Sequence, residues 1–322
     1  SDVSYWPDSE LFDPDAHPDV QYEYIMESRK GSPPEQVKVY NLEQRRLIDR
    51  ELTDRTINFM KQQAGNGKPF FAFIPYTQTH YPVLPHPDFK GKTGNGYWGD
   101  ILAQIDAYTG ELLDTIEKLG IKDNTIVIFT SDNGPEEAPF SQGSAGPWRG
   151  TLFTSLEGSL RVPFIIRWPN KVPSGMVSNE IVHEMDLFPT IAGIVGGRVP
   201  DDRIIDGVDQ REFFMGNQMK SNRESVFVYV GEELHGIKWR NWKLMFKEMD
   251  HMRGPSLERM AMYNLLLDPR EKCPMQNAME DSWIECPVGQ ALYEHFISMA
   301  MEPPIKPGTP DPYVPPKNKN GG

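Results

Sequence analysis

Two short apolar runs, each stopping at polar residues, constrain the fold of this chain more than any other feature. Pro69 to Pro75 (PFFAFIP) and Thr125 to Thr130 (TIVIFT) are nearly continuous apolar stretches of strand length, as expected for strands buried on both faces. Between them, Ile101, Ile105, Leu112, Ile116 and Leu119 recur at helical spacing over residues 97 to 119, and Gly120 supplies a stop. Strand, helix, strand in this order predicts a mainly parallel sheet with helices on its faces, where ligands gather outside the carboxyl ends of the strands. His80 follows the first run directly, and Ser131-Asp132-Asn133-Gly134 follows the second.

The same reading extends along the chain. Leu42, Leu47, Ile48, Leu52, Ile57 and Met60 mark an amphipathic helix that Gly65 and Gly67 end. Residues 1 to 40 are rich in Pro, Asp and Tyr without sustained periodicity, which predicts an irregular segment packed on something else. Val162 to Trp168 reads as a further strand and Asp186 to Val195 as a short helix, closing a large domain over residues 1–220. A small α+β domain over 221–302 follows, with β-like runs at Glu224 to Val230, Gly236 to Trp239 and Trp242 to Phe246, and a helix at 284–300. Arg240 and Asn241 make a tight hairpin between the last two runs. Residues 303–322 form a Pro-rich extended tail.

Composition narrows the function. With 33 Lys and Arg against 46 Asp and Glu, the net charge is −13, so the chain should repel nucleic acid and anionic membranes. An acidic enzyme acting on an anionic ester needs a local cation, which directs attention to metal ligands and basic loops. No apolar run reaches the length of about 18 residues that spans a membrane. The N-terminus lacks a basic region followed by an apolar one, so a signal peptide is absent or removed. Cys273 and Cys286 have neither zinc nor redox spacing and form one disulfide or none.

Four positions carry candidate chemistry. Asp132 and Asn133 present adjacent hard oxygens at a strand end, and Gly134 lets the backbone turn closely around an ion; an Asx turn leaving a strand reads the same way. His80, in Thr79-His80-Tyr81-Pro82, would bind an anionic ester oxygen or assist a leaving group, or else simply pack, as would His86. Arg149, in Gly146-Pro147-Trp148-Arg149-Gly150, offers a guanidinium to a sulfate or phosphate group, or is an exposed loop arginine. Glu157 and Arg161 read as an architectural pair.

Taken in order, PFFAFIPYTQTHYP, TIVIFTSDNGPE, EGSLRVPFIIRWPNKVPSG, HEMDLFPTIAGIVG and WKLMF…MYNLLLDPRE resemble the sulfatase family, specifically bacterial arylsulfatase-like members, over nearly the whole chain. The resemblance implies an α/β sandwich of the alkaline-phosphatase superfamily with a small C-terminal antiparallel-sheet domain. It implies hydrolysis of small-molecule or glycan sulfate esters, calcium ligands at Asp132 and Asn133, and a sulfate-binding catalytic histidine at His80. A periplasmic or secreted location goes with it.

The departures are as informative. The lysine expected five residues before Glu157 is replaced by Leu152, and Arg149 is the hypothetical substitute. The [CS]-x-[PA]-x-R motif whose first residue becomes formylglycine has no match, because neither Cys273 nor Cys286 precedes that pattern. The family's first pair of metal-binding aspartates and its Lys-x-His segment are likewise unmatched. The expectation is a C-terminal sulfatase portion that by itself binds calcium weakly and turns over no sulfate ester. Two other readings are a phosphodiesterase or phosphonate hydrolase of the same superfamily and a non-catalytic binding relative.

Overall fold

The computed structural model describes residues 23–136, 143–251, 254–275, 282–305 and 308–310; the Pro-rich tail lies mostly outside them. The first elements correct the expectation of an irregular segment up to residue 40. Strands β1 (Glu23–Glu27) and β2 (Glu35–Tyr40) form an antiparallel hairpin with a register shift between Ile25 and Met26. β1 has only Tyr24, Ile25 and Met26 between two glutamates, and β2 is polar at Glu35, Gln36 and Lys38 and mostly exposed, so no long apolar run announces them.

Helix α1 (Leu42–Gly65) starts at Asn41, whose side chain accepts from the Gln44 N–H at 2.9 Å. Its fully buried residues are Arg45, Asp49, Thr53 and Met60, so a polar stripe at four-residue spacing faces the interior. Helix α2 (Gly96–Lys118) packs beside it and buries Ile101, Ile105 and Ile116 as the periodicity predicts, whereas Leu112 and Leu119 are only part-buried and Tyr108 joins the buried face. Arg50 joins the two, bonding Glu111 at 2.7 Å with its guanidinium 4.5 Å from the Tyr108 ring centre.

Strand β3 (Val127–Thr130) pairs with β4 (Phe164–Arg167), with Val127 opposite Arg167. Between them lies the single turn α3 (Glu157–Leu160), and α4 (Leu187–Ile194) and α5 (Arg211–Phe214) follow. The pairing direction differs from the expected one: every strand pair among the described residues is antiparallel. Pro69 to Pro75 runs without a ladder partner among those residues, and Phe71 and Phe73 are 73% and 79% exposed. Apolar content reports that a segment wants to be covered, not which strand lies alongside it.

The C-terminal sheet contains the three expected strands and a fourth beyond them. Strands β5 (Ser225–Val230), β6 (Glu233–Trp239), β7 (Trp242–Glu248) and β8 (Leu257–Asn264) are antiparallel in sequence order, and Arg240 makes the β6–β7 turn with φ of 50°. Helix α6 (Glu285–Met301) covers one face, where Ile237, Trp239, Ile284 and Val288 form a core. Each such side chain contributes about 1.5–3 kcal/mol when fully buried. The opposite face carries Met245, Ala261 and Tyr263 together with Lys238 and Lys243. Cys273 and Cys286 are both free and exposed.

Candidate functional site

The polar stripe of α1 explains how the His80 loop is held. Asp49 accepts from the Thr77 N–H at 2.8 Å, the Thr77 hydroxyl at 2.9 Å and the Gln78 N–H at 3.2 Å. Burial raises its carboxyl above the ordinary value, and these bonds together with Arg45 only partly offset that. Arg45 donates through Nη2 to the Thr77 and His80 carbonyls, both at 2.7 Å. Gln78 donates to the Leu84 carbonyl at 2.9 Å, closing the loop on itself. The backbone carrying His80 is therefore fixed by charge-assisted bonds from buried helix residues.

The His80 side chain is half-exposed. Its Nδ1 contacts the Tyr81 carbonyl and its Nε2 lies 3.4 Å from Glu136 Oε1. Glu136 Oε2 accepts from the Tyr81 N–H at 3.2 Å, so one carboxylate joins the histidine loop to the turn after β3. Sequence reading passed over Glu136, although it closes the same Ser-Asp-Asn-Gly-Pro-Glu segment.

That turn is bolted to α3. The Gly134 N–H donates to the Ser159 carbonyl at 3.0 Å, and the Leu152 N–H to the Pro135 carbonyl at 2.9 Å. A Cβ on Gly134 would stand 1.8 Å from the Gly158 carbonyl oxygen. The glycine is therefore required by backbone contact with α3, a reason different from the ion-wrapping turn expected of it. Asn133 donates to the Gly134 carbonyl at 2.7 Å, and Asp132 is exposed. Glu184, another residue the sequence did not single out, has its carboxyl raised first by burial and then by the charge of Asp132, while a hydrogen bond from Thr130 acts the other way. Two carboxylates, those of Asp132 and Glu184, therefore lie close enough at this strand end to raise one another's cost of ionisation. Among the described residues no group of three or more His, Cys, Asp and Glu side chains is arranged to hold a metal.

The remaining candidates have structural partners. Arg149 bonds Glu248 at 2.9 Å, and Arg259 shares that carboxylate at 3.1 Å, which places Arg149 at the junction with the C-terminal sheet. His86 Nδ1 accepts from the Asp88 N–H at 3.2 Å within a turn. Glu157 is fully buried and bonds Arg161 at 2.6 Å and Lys238 at 2.8 Å, with Lys243 at 3.4 Å. Burial works to raise its carboxyl, but Lys243, Lys238 and Arg161 hold it well below the usual range. Lys238 and Lys243 stand directly opposite each other on neighbouring strands, a repulsive pairing that Glu157 bridges. Lys243 also bonds Glu271 at 2.7 Å and the Ser155 carbonyl at 2.8 Å.

Comparison with known proteins places this arrangement in a family. The sulfatase family model matches residues 6–197, and that of the N-sulphoglucosamine sulphohydrolase C-terminal region matches residues 153–298. The chain belongs to the sulfatase family. It is 32% identical to the steryl-sulfatase of Mus musculus over 206 residues, covering 62% of this chain and 33% of that protein. It is 36% identical to the N-acetylgalactosamine-6-sulfatase of Canis lupus familiaris over 192 residues, covering 59% of this chain and 36% of that protein. The chain thus spans about a third of the length of these two relatives. Among solved structures it resembles the PsFucS1 sulfatase from Pseudoalteromonas sp., with a TM-score of 0.82 and 28% identity, covering 87% of this chain and 59% of that one. The α/β architecture with a C-terminal antiparallel sheet is that of these sulfatases.

Proposed function

We propose that this chain is the sulfate-binding part of a sulfatase that hydrolyses small-molecule or glycan sulfate esters. One observation carries the reading: in a chain of this family, Glu136 brings His80 to the same strand-end turn as Asp132 and Asn133. His80 meets a sulfate oxygen or the leaving-group oxygen with an N–H. A calcium ion held by Asp132 and Asn133 would supply charge neutralisation at the sulfate. Arg149 reaches the substrate only by leaving Glu248, so its contribution is secondary. Because both relatives described above are sulfatases, this reading stands ahead of a phosphodiesterase. The names of those relatives, which specify sterol and amino-sugar sulfates, support a sulfated ring alcohol as the substrate class.

The test is turnover of a chromogenic aryl sulfate with calcium, by the 322-residue chain and by the chain extended upstream in its source gene. Activity in the extended chain only, reduced about 100-fold or more by His80→Ala, is the expected result. Micromolar calcium should leave the Tm of the 322-residue chain unchanged, since two residues furnish too few of the roughly 6–8 oxygens calcium takes. Inactivity of both chains would move the assignment to a non-catalytic relative.

A further inference from the structure

Helix α6 covers the C-terminal sheet with one face and presents a second apolar face to the outside. Val288, Ala291 and Leu292 pack on the sheet, whereas Tyr293, Phe296, Ile297 and Met301 point away from it and are between 43% and 69% exposed. Their spacing of i, i+3, i+4 and i+8 puts them on one stripe of the helix. Scattered exposed apolar residues need no account, but a contiguous apolar patch marks a surface that something covers.

The charge around this patch has one sign. α6 carries Glu285 and Glu294 and neither Lys nor Arg, Glu302 follows it, and its last turn holds no basic residue to meet the negative end of the helix dipole. The segment that comes next has the opposite character. Lys306, Lys317 and Lys319 outweigh Asp311, and Pro312, Pro315 and Pro316 surround Tyr313 and Val314. Aromatic-lined surfaces take Pro-rich segments readily, because an extended Pro-rich chain is already ordered before it docks.

The path and the length also fit. Glu302 fixes the exit from the helix by accepting from the Ile204 N–H at 3.0 Å. Gly308, which follows a proline, lies in a turn with φ of 79°, as at the third residue of a chain-reversing type II turn. Residues 309–322 would span about 43 Å in an extended Pro-rich conformation, against about 12 Å of helix from Met301 back to Tyr293. The segment can retrace its outgoing residues and still run along the patch. Residues 311–322 lie outside the described residues.

We propose that the Pro-rich segment over residues 311–317 folds back on the outer face of α6, with Tyr313 and Val314 among Phe296, Ile297 and Met301 and with Lys317 toward Glu294. The patch is thus an intramolecular docking surface for the end of the same chain.

The experiment is hydroxyl-radical footprinting, read by mass spectrometry on monomer fractions, of the 322-residue chain and of the same chain ending at Pro310. The shorter chain keeps the whole sheet and α6. Its Tyr293, Phe296 and Met301 should oxidise several-fold faster than in the full chain, with Met219, exposed in the loop before β5, unchanged. Equal rates overturn the proposal, and so does protection confined to a dimer fraction, which would give the patch to a second copy. A photo-crosslinker in place of Tyr313 in the full chain supplies the second measurement. Crosslinks to α6 within one chain support the proposal; crosslinks elsewhere, between chains, or none at all overturn it. Neither measurement uses turnover, so this inference is tested apart from the sulfatase reading.

Discussion

Gly134 has no room for even one more carbon: the Gly158 carbonyl occupies the place of its Cβ. Gly134→Ala must push α3 away from the strand-end turn, at a cost of about 1–3 kcal/mol. Urea unfolding measures it, and an unchanged midpoint would show that α3 yields freely. Arg45 is the second sensitive residue. Arg45→Met removes two charge-assisted bonds to the loop carbonyls and should cost about 3 kcal/mol. Amide exchange at residues 77–81 should rise along with the loss of stability. At this scale the sequence was partly legible. His80, Asp132 and Asn133 stand out because polar residues interrupt apolar runs. Glu136 carried no such signal, since its meaning depends on a loop 55 residues away. Arg45, Asp49 and Thr53 were hidden by the apolar residues between them, which set the visible helical period.

Among the elements, the turn before α4 is organised around a buried carboxylate. Asp186 accepts from Arg223 at 2.6 Å, the Val208 N–H at 2.9 Å and the His183 N–H at 3.0 Å. Burial acts to raise its carboxyl, but Arg223 and the backbone donors outweigh it, so the folded value lies below the ordinary one. A depressed carboxyl stabilises the fold above its unfolded value and loses that contribution as the pH falls through its folded value. The stability advantage of wild type over Asp186→Asn should therefore be full at pH 7 and shrink progressively below about pH 4. Urea unfolding of both proteins across that range checks the sign. Helices α1, α2, α4 and α6 and the β6–β7 hairpin were readable because each carries its own period or turn. The β1–β2 hairpin was not, being mostly exposed. The direction of the β3–β4 pairing was not either, because it is settled by contacts between segments that no local pattern encodes.

Across the molecule, the C-terminal sheet and the candidate site meet through one buried charge cluster. Lys243 is 0% exposed and bonds Glu271 and the Ser155 carbonyl, with Glu157 alongside. Lys243→Met leaves two buried carboxylates short of a cation and should cost about 3–5 kcal/mol. Chemical denaturation measures the loss, and adding Glu271→Gln to Lys243→Met should recover part of it. Full independence of the two substitutions would show that the cluster is not a unit.

The contact of Gly134 with α3, whose first residue is Glu157, gives this cluster a reach beyond stability. If the function proposed above holds, a mutational screen of the catalytically complete protein scored only on turnover would return Lys243 beside His80 and Asp132, although the described partners of its ammonium group are Glu271, Glu157 and the Ser155 carbonyl. Ranking variants by expression level as well as by turnover would separate the two kinds of loss: Lys243 variants would be scarce, whereas His80 variants would be abundant and silent.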